Sequence, residues 1–417
     1  MRASAKTKEY FKLIVASVII GLLCAFLGDS LKRITAYYED IFSDKAAKYR
    51  VFYIIFPVMS LSLIHLLRRY LFDKKENKGI KEIYETLKTR HNELPAYKIP
   101  SHYINGFLTV IFGGSTGVEV STVVASATIG GVVQNKANIH TAFRKELIYA
   151  GIAAGITVLF NSPLAGILFS IEVISKRISR NAVISILIAI LTAFAFNWLV
   201  HDKSLFTFTV SKWNYYAIPY FILLAILSGV SAVYLTRTVL FFKKTFSRFP
   251  NYATKILISA SILSIVLLLC PQLYGDGYGS MREIFETSAQ HINFSYSLLL
   301  LTIAILLLKP IVTSATLAAG GDGGVFAPGL FMGAFLGLLV AIIVKQYMHI
   351  DIVPINCMVI GMAAVLSGSL HAPFTSACLV CALAGNYILL VPILVACLIA
   401  KMIAKLIYPY TVYTYAS

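Results

Sequence analysis

Charged residues are scarce in this chain. Only 13% of its 417 residues are Asp, Glu, Lys or Arg, whereas 58% are hydrophobic. Soluble domains carry about 25% charged residues, because polar groups must cover much of their surface. The composition therefore excludes an ordinary soluble protein and indicates that lipid surrounds much of the molecule.

Residue patterns that hold metals or carry out catalysis are also missing from the sequence. The six cysteines show no disulfide or zinc spacing. Cys378 and Cys381 form a CxxC, but they lie in an apolar segment without a second pair, so we interpret them as packing residues. There is no nucleophile elbow and no cluster of His, Asp and Glu. The sequence predicts no metal site, no cofactor and no enzyme.

Acidic residues are the rarer of the two charge signs. The chain has 36 Lys and Arg against 19 Asp and Glu, a formal net charge of +17. A basic excess can attract nucleic acid, but here the basic residues cluster in short segments between apolar runs. These segments match cytoplasmic loops under the positive-inside rule. We therefore expect a lipid bilayer, and no nucleic acid, as the partner.

Long apolar runs recur along the chain. A helix needs about 20 apolar residues to cross the hydrocarbon core. The candidates for such spans are 13–27, 51–67, 182–200, 220–242, 256–270 and 298–308, with further apolar stretches after residue 330. The sequence predicts an all-α, multi-pass membrane protein.

An internal repeat divides the chain. GIAAGITVLFNSPLAG from Gly151 aligns without gaps on GMAAVLSGSLHAPFTS from Gly361, and a glycine-rich segment precedes each copy, from Gly117 and from Gly324. We predict two half-repeats, 1–205 and 206–417, joined by a polar linker at 201–213. Repeat transporters place their substrate site between the repeats, on helices that end inside the membrane.

The second glycine-rich segment is a candidate anion site. GVFAPGLFMGAFLG begins at Gly324 and leads into an apolar helix, with Pro328 suited to its first turn. A helix N-terminus presents unpaired N–H groups and binds an anion without a full positive charge, which suits weak and rapid binding. The amides of Val325 and Phe326 are the candidate donors. The alternative is a glycine-rich packing face.

Glu119 is a candidate gate in the first half. It lies in GVEVSTVVASATIGG with almost no other charge between 104 and 136. Burying a lone carboxylate costs several kcal/mol unless it is paired, hydrogen-bonded or protonated, so such a residue in a membrane segment indicates function. Its carboxylate is itself an anion that can occupy an anion site and leave it. The alternative is a surface residue that caps the helix.

Glu172 precedes a basic cluster near a predicted helix end. A salt bridge to Lys176 at i+4 spacing explains it as well as a role in transport does.

These segments resemble the signature sequences of the CLC family of chloride channels and chloride/proton antiporters. The likeness runs from about residue 77 to the C-terminus and rests on KPIVTSATLAAGGDGGVFAPGLFMGAFLG from Lys309, FNSPLAGILFSIE from Phe160 and GMAAVLSGSLHAPFTSACLVCALAGNY from Gly361. It implies the CLC-type inverted repeat of tilted and broken transmembrane helices.

The resemblance also implies roles for individual residues. It places Glu119 at the gating glutamate, Val325 and Phe326 at the amides of the anion site, and Tyr413 at the tyrosine whose hydroxyl faces the central anion. The remaining positions of the anion-binding motifs are occupied by Lys78, Gly79 and Ile80 in NKGIKEI and by Val118 and Val120 in GVEVS.

Three departures from the family pattern bear on mechanism. Val118 replaces an arginine of the gating motif, which removes a cation from the outer mouth. Lys78 replaces a serine, and it either strengthens anion binding, seals the inner pore or points to the cytoplasm. Val173 replaces the inward glutamate of many proton-exchanging members, and a valine cannot relay a proton.

The expected function is transport of chloride and similar monovalent anions, gated by Glu119, by a passive channel or a weakly proton-coupled transporter. The alternatives are a chloride/proton antiporter, a fluoride/proton exporter, a membrane-embedded enzyme and a membrane scaffold. The resemblance implies a homodimer in the cell membrane, of the prokaryotic inner or plasma membrane type, and we expect no cytoplasmic regulatory domain.

Overall fold

The computed structural model describes residues 2–72, 77–88, 93–175, 179–200, 206, 210, 213–290, 296–348, 350 and 352–415, and the side chains of 2–7 and 287–290 are outside this description. Within these residues the chain is a bundle of α-helices with a single isolated β-bridge. The helices are α1 (Arg2–Lys48), α2 (Phe52–Tyr70), α3 (Ile80–Lys88), α4 (Lys98–Ile111), α5 (Glu119–Lys136), α6 (Arg144–Phe160), α7 (Pro163–Phe169), α8 (Arg180–Leu199), α9 (Ile218–Phe246), α10 (Tyr252–Leu269), α11 (Tyr278–Gln290), α12 (Tyr296–Ala318), α13 (Phe326–Tyr347), α14 (Pro354–Leu370), α15 (Pro373–Leu383) and α16 (Leu390–Ile407).

Eight helices in the described part of the chain are long and apolar enough to cross a bilayer. They are α1, α2, α8, α9, α10, α12, α13 and α16. Each of the six apolar runs found in the sequence lies largely within one of them. The predicted all-α, multi-pass membrane fold is confirmed.

The first helix is much longer than its apolar run. The run ends at Leu27, but α1 continues through a polar stretch to Lys48. This continuation carries Glu39, which is 9% exposed, into the protein interior. The sequence analysis did not predict that this segment contributes to the site.

Four helices form the centre of the molecule. Almost every residue of α5, α6, α13 and α14 is buried. The outer helices instead expose large apolar side chains, such as Leu191 and Leu257, on faces suited to lipid. The central helices are therefore shielded from lipid by the others.

Glycines bring the central helices together in two equivalent pairs. A Cβ on Gly151 of α6 would lie 2.2 Å from the Ser126 carbonyl oxygen of α5. A Cβ on Gly361 of α14 would lie 2.2 Å from the Gly333 carbonyl oxygen of α13. Small residues allow such close approach of helices in membranes. The two aligned glycines thus have the same packing role.

The ends of the aligned segments also correspond. Helix α6 ends at Asn161 with a φ of 49°, and α14 ends at His371 with a φ of 58°. A left-handed residue is a common helix stop, and in both cases a proline, Pro163 or Pro373, starts the next helix two residues later. Most of the predicted linker at 201–213 lies outside the described residues.

Candidate functional site

Two helix N-termini meet at the centre of the molecule. Gly117 and Gly324 pair in an antiparallel β-bridge, one just before α5 and the other just before α13. Helix α5 begins at Glu119 and α13 begins at Phe326. The first amides of a helix lack intrahelical acceptors, so both helices direct unpaired N–H groups toward this region.

Glu119 is buried at the start of α5. It is 2% exposed, and its Oε1 accepts a 2.6 Å hydrogen bond from the Tyr278 hydroxyl. The amides of Glu119 and Ala327 face the same carboxylate, but its Oε2 has no partner of hydrogen-bond geometry among the described residues. The carboxylate is thus held mainly by one side chain, next to the N-termini of two helices.

The carboxylate of Glu119 folds back over Gly117. A Cβ on Gly117 would lie 1.9 Å from Glu119 Oε2 and 2.7 Å from the Ala327 Cβ. Glycine at this position therefore provides the space that the carboxylate occupies.

Val325 and Tyr413 lie together on the other side of the bridge. Val325 is the N-cap of α13, and its amide is 3.4 Å from the Tyr413 hydroxyl oxygen. Phe326 is fully buried, and its ring packs against Phe169 with centroids 5.6 Å apart. The structure thus brings Tyr413 to the loop that carries Val325 and Phe326, although Val325 and Tyr413 are 88 residues apart in the sequence.

Val120 connects the two glycine-containing loops. A Cβ on Gly324 would lie 2.2 Å from Val120 Cγ2, and a Cβ on Gly79 would lie 3.2 Å from Val120 Cγ1. Gly79 has a φ of +64°, and Ile80, which follows it at the start of α3, is fully buried. Gly79 and Val120 therefore lie close to the loop that carries Val325.

The side chain of Lys78 points away from the centre. Its Nζ is 3.4 Å from Glu85 Oε2, and both side chains are largely exposed. Its backbone amide donates to Glu82. Of the three roles that the sequence left open for Lys78, this geometry favours the one in which its side chain points to the cytoplasm.

Two cavities approach the site from opposite sides. The inner cavity, of about 320 Å³, reaches Gly324, Val325 and Tyr413 and is lined by five basic residues. The outer cavity, of about 90 Å³, reaches Val118 and Glu119. The basic residues of the inner cavity are Arg68, Lys78, Lys81, Lys243 and Lys255. Under the positive-inside rule the inner cavity faces the cytoplasm.

A buried contact between Asp322 and His102 fixes the loop before α13. Asp322 Oδ2 is 3.0 Å from His102 Nδ1 and accepts a 2.6 Å hydrogen bond from Asn77 Nδ2. The Asp322 amide donates to Thr109 Oγ1 at 2.9 Å. These contacts tie the loop to α4. These contacts were not predicted from the sequence, although Asp322 stands out there as the one acidic residue of GGDGG.

Val173 and Glu172 lie in a π-helical segment, Ser170–Ile174. The Val173 carbonyl accepts a 2.6 Å hydrogen bond from the Tyr84 hydroxyl. Glu172 accepts from the amide and the hydroxyl of Thr375, both at 2.8 Å. Glu172 therefore caps α15 of the other half. Lys176, the partner predicted from the sequence, lies outside the described residues.

A second group of polar residues next to Glu119 was not predicted from the sequence. Tyr278 is the hydrogen-bond donor to Glu119, and Asp276, Glu39 and Lys309 lie close behind it. One signal was present in the sequence, because Lys309 is a lone cation at the end of an apolar run. The pairing of Glu39 with Asp276 had no such signal.

The sequence model of the family described as voltage gated chloride channel matches residues 61–405. The chain belongs to this family. It is the CLC family that the motifs resemble, and membership makes the chain an anion-transporting, multi-pass membrane protein.

CLC relatives carry both kinds of name. The chain is 25% identical to the voltage-gated ClC-type chloride channel ClcB of Salmonella typhi, over 70% of this chain and 69% of that protein. It is also 25% identical to the H(+)/Cl(-) exchange transporter ClcA of Salmonella paratyphi B, over 95% of this chain and 86% of that protein.

Solved CLC structures share the fold. A slow cyanobacterial Cl-/H+ antiporter matches with a TM-score of 0.81 and 23% identity, over 97% of this chain and 96% of that chain. A CLC-type fluoride/proton antiporter matches with a TM-score of 0.79 and 23% identity, over 96% of each chain. The predicted CLC fold is confirmed.

Proposed function

We propose that the chain transports chloride and similar monovalent anions between the inner and outer cavities, with Glu119 as the gate. The observation that carries this proposal is the position of the Glu119 carboxylate. It lies at the N-termini of α5 and α13, between a cavity that reaches Val325 and Tyr413 and a cavity that reaches Val118.

The site suits an anion that binds weakly. Backbone amides of Val325 and Phe326 and the Tyr413 hydroxyl provide partial charges rather than a fixed cation. Five basic residues line the inner cavity and raise the local concentration of anions without holding them at the narrow point. Conduction requires binding of this kind.

The carboxylate gate follows from charge and burial. Glu119 occupies the place that an anion would take at these helix ends, and its Oε2 is without a hydrogen-bond partner among the described residues. An incoming anion or a proton would compete with the ionised carboxylate for this place. Its movement toward the outer cavity would open the path.

Passive or weakly coupled transport is supported by Val173. An apolar side chain stands where proton-exchanging relatives place their inward glutamate, so a carboxylate relay from the cytoplasm is interrupted. Chloride/proton exchange is the second candidate, because relatives are named as exchangers as well as channels. Fluoride/proton export is a third, and the structural likeness to a fluoride/proton antiporter supports only its fold.

We further propose that the two half-repeats are 1–205 and 206–417 and that the protein is a homodimer in the cell membrane. The equivalent glycine packing and helix ends of the two halves support the repeat.

Simultaneous chloride and proton flux in liposomes tests the function. If transport is passive, we expect chloride efflux without sustained uphill proton movement. We expect Glu119→Gln to raise chloride flux at neutral pH. Uphill proton movement driven by a chloride gradient would establish exchange instead. A fluoride flux far above the chloride flux would establish the fluoride exporter.

The control variant is Glu9→Gln, because Glu9 lies near the start of α1 in an exposed pair with Lys12 and lines neither cavity. No anion flux in any variant would refute anion transport. An anion flux that does not respond to Glu119→Gln would refute Glu119 as the gate.

A further inference from the structure

We propose that Tyr278, supported by Glu39, Asp276 and Lys309, forms a latch that holds Glu119 in its blocking position. Tyr278 is then a positioning residue for the gate. The proposal rests on the proposed role of Glu119 and adds the side chains that control its release.

The latch bond joins Tyr278 directly to the gate. The Tyr278 hydroxyl donates to Glu119 Oε1 at 2.6 Å, and the two residues are 9% and 2% exposed. Bonds from a hydroxyl to a carboxylate at this length are charge-assisted and stronger than neutral ones. Because Oε2 has no partner of hydrogen-bond geometry among the described residues, this bond is the main restraint on the carboxylate.

The turn before α11 fixes the position of Tyr278. Its amide donates to Asp276 Oδ1 at 2.8 Å, and the Asp276 amide donates to Glu39 Oε1 at 3.0 Å. Gly275, with a φ of +59°, lets Glu39 approach, since a Cβ there would lie 1.9 Å from Glu39 Oε1. Three successive contacts thus connect α1 to the gate.

Lys309 supports the same turn from α12. Its Nζ lies 3.4 Å from the carbonyl oxygens of Gly275 and Asp276 and 4.5 Å from the Phe331 ring centroid. The residue is fully buried. Removing one member of a buried charge group leaves the others uncompensated, so this turn can hold its shape only while Lys309 and the two carboxylates are present together.

The latch releases when the gate is protonated or is displaced by an anion. Protonation of Glu119 removes the charge that strengthens the Tyr278 bond, and displacement by an anion removes its acceptor. Opening therefore requires the same bond to break whichever event triggers it. The role of Tyr278 is therefore not limited to stabilising the fold, because its hydroxyl donates to the carboxylate that moves.

Other titratable groups surround the gate and bear on its pH response. The groups that line the outer cavity or act electrostatically on the gate and its latch are Lys32, Glu39 and Asp40 of α1, Tyr274, Asp276 and Arg282 before and at the start of α11, Lys309 of α12 and Tyr413 of the tail. A pH shift must be assigned to Tyr278 by a variant that leaves all of these unchanged.

Tyr278→Phe is that variant, because it removes the hydroxyl and keeps the ring. We expect chloride flux at neutral pH to rise by about tenfold or less, the range that the loss of one hydrogen bond allows. The flux–pH profile is expected to move to higher pH, since the ionised carboxylate has lost its donor.

Tyr274→Phe is the matched control. Tyr274 is also buried and lies four residues away, but its hydroxyl donates to the Ile111 carbonyl oxygen at 2.7 Å rather than to the gate. Its removal is expected to leave the flux–pH profile in place. An equal shift in both variants would show a general loss of structure and would overturn the latch.

A double variant separates the latch from the gate. In a Glu119→Ala background, Tyr278→Phe is expected to change neither flux nor its pH profile. An unchanged profile of Tyr278→Phe in the native background, or an undiminished effect beside Glu119→Ala, would overturn the latch. If Glu119→Ala itself left flux and its pH dependence unchanged, the gate proposal would fail instead.

Discussion

Gly117 and Gly324 face each other across the centre of the protein in an antiparallel bridge, yet the space beside each is filled by a different kind of side chain. The Glu119 carboxylate lies beside Gly117, whereas Val120 and the Tyr413 hydroxyl lie beside Gly324. Replacing each glycine by alanine adds one methyl group. We expect the two replacements to change anion flux in opposite directions.

Gly117→Ala is expected to raise anion flux at neutral pH. Its Cβ would overlap Glu119 Oε2, the end of a flexible side chain, and would lie 2.7 Å from the Ala327 Cβ, so the carboxylate would be displaced and the start of α13 would shift slightly. Losing ~1.4 kcal/mol of stabilisation in the blocking position corresponds to about tenfold more open gate. Chloride efflux from liposomes at fixed pH measures the change.

The control for this variant is Gly131→Ala on α5, the helix that follows Gly117. Nothing lies within 4 Å of a Cβ at Gly131, so its flux should equal that of the native protein. A Gly117→Ala protein that is well folded and shows native or lower flux would contradict the position we assign to the carboxylate.

Gly324→Ala is expected to lower anion flux. The added Cβ would lie 2.2 Å from Val120 Cγ2, and a β-branched side chain has little rotational freedom to move away. The methyl group would also lie 2.8 Å from the Tyr413 hydroxyl oxygen, where an anion would pass. Flux and chloride binding, measured by calorimetry, should both decrease, and an increase in either would count against this path.

Much of this centre was predictable from the sequence, for a physical reason. A lone carboxylate in an apolar segment and a glycine-rich start of an apolar helix are local patterns. The cost of burying a carboxylate marks Glu119 as a functional candidate, and the unpaired amides of a helix N-terminus mark Val325. The structure places both beside the Gly117–Gly324 bridge. The six apolar runs predicted helices equally well, because span length is set by bilayer thickness.

Neutralising Lys243 is expected to reduce anion flux from the cytoplasmic side at low ionic strength. Lys243 lines the inner cavity and lies near enough to Lys81 for the two ammonium groups to repel each other. Lys243→Gln lowers the positive potential that concentrates anions there, so we expect flux to fall about twofold.

Salt provides the internal check on that result. At about 1 M ionic strength the Debye length shrinks to about 3 Å, and the native and Lys243→Gln fluxes should converge. Lys345→Gln is the matched control, because Lys345 is exposed at the end of α13 and does not line the cavity. A deficit that persists unchanged at high salt would indicate a structural defect.

Alanine at the two aligned glycines tests the repeat. Gly151→Ala and Gly361→Ala should each lower the thermal unfolding midpoint in detergent, because overpacking of this kind costs about 1–3 kcal/mol. The two losses should be similar, since each Cβ would lie 2.2 Å from a backbone carbonyl oxygen. Gly131→Ala should show no loss. A marked effect at only one of the two glycines would contradict equivalent packing.

The latch residues show where sequence reasoning stops. Glu39 and Asp276 meet only because α1 continues far past its apolar run and returns a polar segment to the interior. Neither helix periodicity nor span length predicts which distant polar groups will pair. Tyr278 was one of 24 tyrosines, and only its distance to Glu119 distinguishes it.

The first helix links a lipid-facing segment to the polar group beside Glu119. It has 47 residues and is about 70 Å long, longer than the hydrocarbon core is thick, so its apolar run and its polar distal part belong to one continuous helix. Glu39 lies in the distal part, and its carboxylate accepts from the Asp276 amide beside Gly275. A change in the tilt of α1 is therefore expected to move Glu39 against the turn that positions Tyr278 beside Glu119.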